Sequence, residues 1–214
     1  MSTKQRMNKT VLERNMSMKV KCLLFFISAT FLVACEDSDL IEYSNLSKNQ
    51  ISTQAVYSPT KYSKQNGDVL VKRSLPTTMA KQVPNTCVTS IMEYANNKVF
   101  GGTVNEGTYI LYYIQTYNSD PLTDGVSLNN IEPFVSHFFN TKMFTDYKSA
   151  IDAKHPVMTD VKSQIENSTH NVLCVGYNSK TGAAIYMDPE LASMYTVAAG
   201  YFLQHYNIEL TGVK

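Results

Sequence analysis

The chain has 214 residues, 19 of them basic and 18 acidic, for a formal net charge of +1. No basic stripe remains once residues 1–34 are set aside, which argues against nucleic acid as a partner. Four cysteines are too few for a disulfide scaffold, and the length suits one folded domain with a sizeable core.

Lys19 and Lys21 precede an apolar run over 22–34. Thirteen residues are too few to cross a bilayer as a permanent helix, so 1–34 reads as a secretory signal peptide. Residues 1–17 lie upstream of an alternative start at Met16 or Met18. The run closes on Leu32-Val33-Ala34-Cys35, which resembles the lipobox of bacterial lipoproteins. That resemblance implies a lipid on Cys35 and a place in the bacterial cell envelope, anchored to the outer membrane. An ordinary signal peptide cleaved elsewhere is the alternative. Removing 1–34 takes away six basic residues and one acidic residue, leaving 13 basic against 17 acidic and a net charge of −4. The acidic run Glu36-Asp37-Ser38-Asp39 resembles a signal for surface display in some Gram-negative lineages; taken as chemistry alone, it is a solvated tether. Polar residues without apolar periodicity continue to Asp68, which makes 35–68 a flexible leash.

The folded domain is expected over 69–214. Val69-Leu70-Val71 reads as a short strand. Pro84-Asn85 breaks the chain, and Asn85 suits a helix N-cap. Val88, Ile91, Met92, Ala95 and Val99 then recur at helical spacing, up to a stop at Gly101-Gly102. Further helices are predicted over 108–117, 128–140 and 145–153. "PVMTDV" and "HNVLCVGYN" (170–178) read as strands. Ser179 to Gly182 is a hairpin turn, "AAIYMDP" the returning strand, and Pro189 its stop. A short helix over 197–205 and a strand over 206–211 complete the chain. Helices first and an antiparallel sheet after is an α+β pattern.

The chemistry-bearing residues are a cysteine at a helix start, a histidine opening a strand and an aspartate on the next strand. The thiolate is the nucleophilic form, and a helix N-terminus stabilises it. That favours Cys87 as nucleophile. His170 begins a strongly apolar strand whose hairpin partner carries Asp188, an acceptor able to fix the imidazole tautomer. His137, His155 and His205 lack such a partner in the pattern. In a regular strand His170, Val172, Cys174 and Gly176 share a face. A purely structural His170 and a Cys87–Cys174 disulfide remain the alternatives. No donor spacing suggests a metal site, no glycine-rich loop follows a strand, and no cofactor is expected.

Three blocks resemble the papain-like cysteine peptidase superfamily, nearest its bacteriocin-leader (double-glycine) peptidase-like branch. They are "QVPNTCVTSIMEYA", "FTDYKSAIDAKHPVMTDV" and "HNVLCVGYNSKTGAAIYMDP". The resemblance implies a papain-like fold, with Cys87 as nucleophile, His170 as general base and acid, and Asp188 as its orienter. Gln82 would then share an oxyanion hole with the Cys87 backbone N–H. Gln82 stands five residues before Cys87, one fewer than is usual, and Val88 stands where glycine or tryptophan is common. The implied activity is hydrolysis of an amide in a peptide or protein. Transglutaminase-like acyl transfer and a non-catalytic binding or immunity lipoprotein on the same fold are the other readings.

Overall fold

The structure, a computed structural model, describes residues 59–143, 146–165 and 168–214. The signal peptide, Cys35, the first part of the tether and Phe144 lie outside the described residues.

Among the described residues, eight strands form one antiparallel sheet: β1 (Thr60–Lys61), β2 (Asp68–Leu70), β3 (Phe139–Met143), β4 (Val157–Lys162), β5 (Thr169–Asn178), β6 (Ala184–Asp188), β7 (Ser193–Val197) and β8 (Ile208–Val213). Their order is β1-β7-β6-β5-β4-β8-β3, with β2 added to β5. Among the described residues, the α-helices are α1 (Cys87–Tyr94), α2 (Glu106–Tyr117), α3 (Pro121–Asp124), α4 (Leu128–Phe138) and α5 (Tyr147–Asp152). The class is α+β, as the element order predicts.

β5 organises the sheet. Its first half pairs with β4, from Lys162 opposite Thr169 to Val157 opposite Cys174. Its second half pairs with β2 along the same edge. β6 takes the other edge, and the register slips between Cys174 and Gly176. That bulge breaks the face shared by His170, Val172, Cys174 and Gly176. β2 crosses so close to β5 that a Cβ on Gly176 would come within 2.5 Å of Leu70 and of the Val69 carbonyl. α1 packs on β5 and α2, burying Val88, Ile91 and Met92, and Ala95 just beyond it is buried as well. Tyr109, Tyr113, Ile131, Phe134 and Phe139 extend this core over the helical side.

Several boundaries differ from the sequence expectation. β1 pairs with β7, and the Tyr62 N–H donates to the Met194 carbonyl, so the sheet takes in residues assigned to the leash. The helix expected over 197–205 is replaced by β7 and a single 3₁₀ turn at Ala199–Tyr201. Met194 and Val197 are buried there, and both edges of β7 find partners. The helix expected to reach 140 ends at Phe138, and β3 continues to the far edge of the sheet against β8. After Tyr94 the first helix widens into a π-helix over Ala95–Val99. Gly101 (φ 80°) and Gly102, which is pressed against the Asn96 side chain, then stop it. Gly176→Ala should destabilise the domain by about 1–3 kcal/mol, because neither β2 nor Leu70 can retreat without opening the core. A denaturant midpoint unchanged from wild type would contradict the close approach.

Candidate active site

The start of α1 is built from a tight turn. The Thr86 N–H donates to the Val83 carbonyl at 3.1 Å, with Pro84 and Asn85 between them. Proline second and a positive φ third fit a type II turn, and Asn85 has φ 70°. Asn85 is therefore not the N-cap. Its amide instead donates to the Leu122 and Thr123 carbonyls at 3.2 and 3.0 Å. Thr86 occupies the cap position, but its hydroxyl donates backwards to the Val83 carbonyl and caps nothing. Cys87 is thus the first residue of the helix, beside first-turn N–H groups that no side chain satisfies, where the positive end of the dipole acts most strongly. Behind it, Glu106 Oε1 accepts from the Thr89 hydroxyl at 2.8 Å and the Ser90 hydroxyl at 2.6 Å. This part-buried link fixes the helix that carries Cys87 to the start of α2.

His170 and Asp188 meet on the sheet. Nε2–H of His170 donates to Asp188 Oδ1 at 2.9 Å, and both side chains are buried. The same oxygen accepts from the Glu190 and Leu191 N–H groups at 2.9 and 3.1 Å, so the Pro189 turn locks the carboxylate in place. The ring also contacts Cys87 directly. Asn171 Nδ2 donates to Cys87 Sγ at 3.4 Å, and the Asn171 backbone N–H adds a further contact. β6 ends at Asp188, and its last pairs with β5 stop at Leu173. The β5 edge beyond that point is open on this side, and the sulfur lies along it, within reach of both His170 and Asn171.

These contacts set the protonation states. Burial pushes the Cys87 thiol up, but the hydrogen bond and charge of His170, together with Asn171, outweigh it and hold the thiol below its ordinary value. Burial pushes His170 down, but its bonds to Asp188 and Cys87 raise it well above the ordinary histidine value. These shifts favour the thiolate and imidazolium forms of the pair over the neutral ones.

Cys87, His170, Asn171, Gln82 and Glu190 line one cleft of about 490 Å³. The Gln82 N–H donates to the Pro189 carbonyl at 3.0 Å, which brings this segment alongside the Asp188 turn. The stretch 103–144 contributes only Asp124, Gly125 and Val126 to the lining. The remaining histidines are occupied elsewhere: His155 bonds Glu209, His205 bonds Asp160, and His137 stacks on Tyr112. Cys87 and Cys174 are both free, so the disulfide alternative falls. Cys174 is buried in the core, which pushes its thiol up to about 12. Donor atoms of His170, Asp188 and Glu190 lie within 4.8 Å of one another, a set able to hold a metal ion. His170, however, already engages Asp188 through one ring nitrogen and contacts Cys87, so the set reads as a hydrogen-bonded network.

A family model described as the Peptidase_C39 like family matches residues 64–209. The chain belongs to this family. The C39-like domain is thereby a cysteine peptidase domain, whose substrate class is peptide or protein. No curated protein matches it.

Two residues that line this cleft, Asn171 and Glu190, are not evident from the sequence pattern. Strand alternation turned Asn171 away from the face of His170, and the open edge brings it back. Glu190 shares spacing with Asp188 but lies beyond Pro189, past the end of the strand. Because Cys87 is lowered and His170 raised, alkylation of Cys87 by iodoacetamide should stay fast well below the ordinary thiol range. In His170→Ala it should follow a midpoint near that of a free thiol, about 8.5. Cys174 should stay unmodified in the native protein. A Cys87 midpoint identical in both proteins would contradict the ion pair.

Proposed function

We propose that this domain is an exported, lipid-anchored cysteine peptidase with Cys87 as nucleophile, His170 as general acid and base, and Asp188 as the orienting residue. One observation carries the reading: the contact of Cys87 with a histidine whose far nitrogen bonds a buried, backbone-locked aspartate at 2.9 Å.

The thiolate attacks the carbonyl carbon of the scissile amide, forming a C–S bond and moving the π pair onto oxygen. The Cys87 backbone N–H, at the head of α1, and the Gln82 side chain stabilise that oxyanion. The tetrahedral species collapses, the C–N bond breaks, and His170 gives its proton to the leaving amine. Water then attacks the thioester, His170 takes its proton, and the acid product leaves the thiolate restored. Asn171 holds the resting thiolate through its amide. kcat/KM should therefore rise as Cys87 ionises, on the acid side of the ordinary thiol range. It should fall as His170 loses its proton on the alkaline side.

Cys87→Ala should abolish cleavage of a quenched peptide pool, and His170→Ala should lower it by about 10²–10⁴-fold. A Cys87→Ala protein that still cleaves would overturn the assignment. Added amine acceptors should leave the products as free acids, which separates hydrolysis from acyl transfer.

Export and anchoring at Cys35 are supported by the basic start, the apolar core and the small residue before that cysteine. Alkyne-tagged palmitate fed to expressing bacteria should label the full chain and not Cys35→Ser. Equal labelling of both would sink the anchor.

A further inference from the structure

Glu190 is unusual for a residue in a turn. It is only 8 % exposed, yet it lines the cleft with Cys87 and His170. A buried carboxylate is ordinarily paired with a cation. Both of its oxygens instead accept from the Ser163 hydroxyl, at 3.0 and 3.1 Å. Among the described residues, no lysine or arginine forms a salt bridge with it. A hydroxyl satisfies lone pairs but cancels no charge.

His170 does not supply the missing counter-charge. Its single positive charge already stands between Asp188 and the Cys87 thiolate. Counted together, one positive charge faces three negative ones, while Lys81 and Asp124 on the lining offset each other. Independently, two more acceptors on this wall lack a donor. Gln82 Oε1 and Asn171 Oδ1 are buried without a hydrogen-bond partner among the described residues, and Asn171 is 7 % exposed. The cleft thus combines excess negative charge with unfilled acceptors.

We propose that this cleft selects peptides bearing a cationic group, a lysine or arginine side chain or a free amine, with Glu190 as its counter-ion. The substrate class rests on the peptidase reading above. A carboxylate offers about four lone-pair sites, enough for Ser163 and for an ammonium or a two-pronged guanidinium together. His170 protonates the leaving amine, and Glu190 lies beside His170 and Asp188, so the cation belongs to the leaving-group half of the substrate.

The test uses the full chain, in EDTA, and three thiol reagents of different charge. Cys87 is reacted with cationic 2-aminoethyl, neutral methyl and anionic 2-sulfonatoethyl methanethiosulfonate, and its peptide is followed by mass spectrometry. Each rate is divided by that of the neutral reagent. The wild-type cationic-to-anionic ratio should exceed that of 2-mercaptoethanol by about tenfold or more. It should shrink about fivefold in Glu190→Gln. A wild-type ratio equal to that of 2-mercaptoethanol overturns the proposal, whether or not the variant folds. So does a ratio unchanged in a folded Glu190→Gln. Cleavage sites in a randomised peptide pool should be enriched in lysine and arginine on the leaving side, and Glu190→Gln should lose that enrichment. Charge selection by the reagents without any cleavage would leave the cation site standing and sink the peptidase reading alone.

Discussion

The contact between Cys87 and His170 joins two parts of the chain that are distant in sequence, and most of the architecture serves to hold it. The cysteine comes from the first residue of a helix and the histidine from the second residue of a strand. Burial opposes both ionised forms. Together each supplies the other's counter-ion, and Asp188 steadies the imidazolium from behind. The pair is stable only while the geometry is fixed, so rigidity around it is a chemical requirement as well as a structural one.

Two devices provide that rigidity. On the helical side, the Val83–Thr86 turn sets where α1 begins, and Glu106 ties its first turns to α2 through Thr89 and Ser90. On the sheet side, β5 is flanked along its length by β4, β2 and β6, except at the edge beside His170 and Asn171. Ending β6 at Asp188 and turning the chain at Pro189 leaves that edge open for the sulfur. The same turn buries Glu190 against the cleft, so the residues that fix the histidine also set the charge a substrate meets.

The sequence made the local parts legible. Helical spacing from Val88 to Val99, the apolar run of β5, the hairpin through Gly182 and the Asp188-Pro189 stop all reflect short-range patterns, and they brought Cys87, His170 and Asp188 forward as candidates. What escaped depends on distant partners. β1, β3 and β7 are short strands, β1 and β3 at the sheet edges, and only the completed sheet makes strands of them. Asn85 shows a different ambiguity. Asparagine suits both a helix cap and a left-handed turn position, and the preceding proline together with the Leu122 and Thr123 carbonyls selects the turn. Asn171 was hidden by the strand alternation itself, a rule that holds for faces but not for an exposed edge.

The charge state of His170 tests this account most directly. In protein labelled with ¹⁵N-histidine, ring-nitrogen NMR at pH 7 should show both His170 nitrogens protonated, as an imidazolium. Cys87→Ala should move its deprotonation to lower pH, because the thiolate that holds the proton is gone. A His170 with one bare nitrogen at pH 7 in the wild-type protein would contradict the ion pair and, with it, the mechanism.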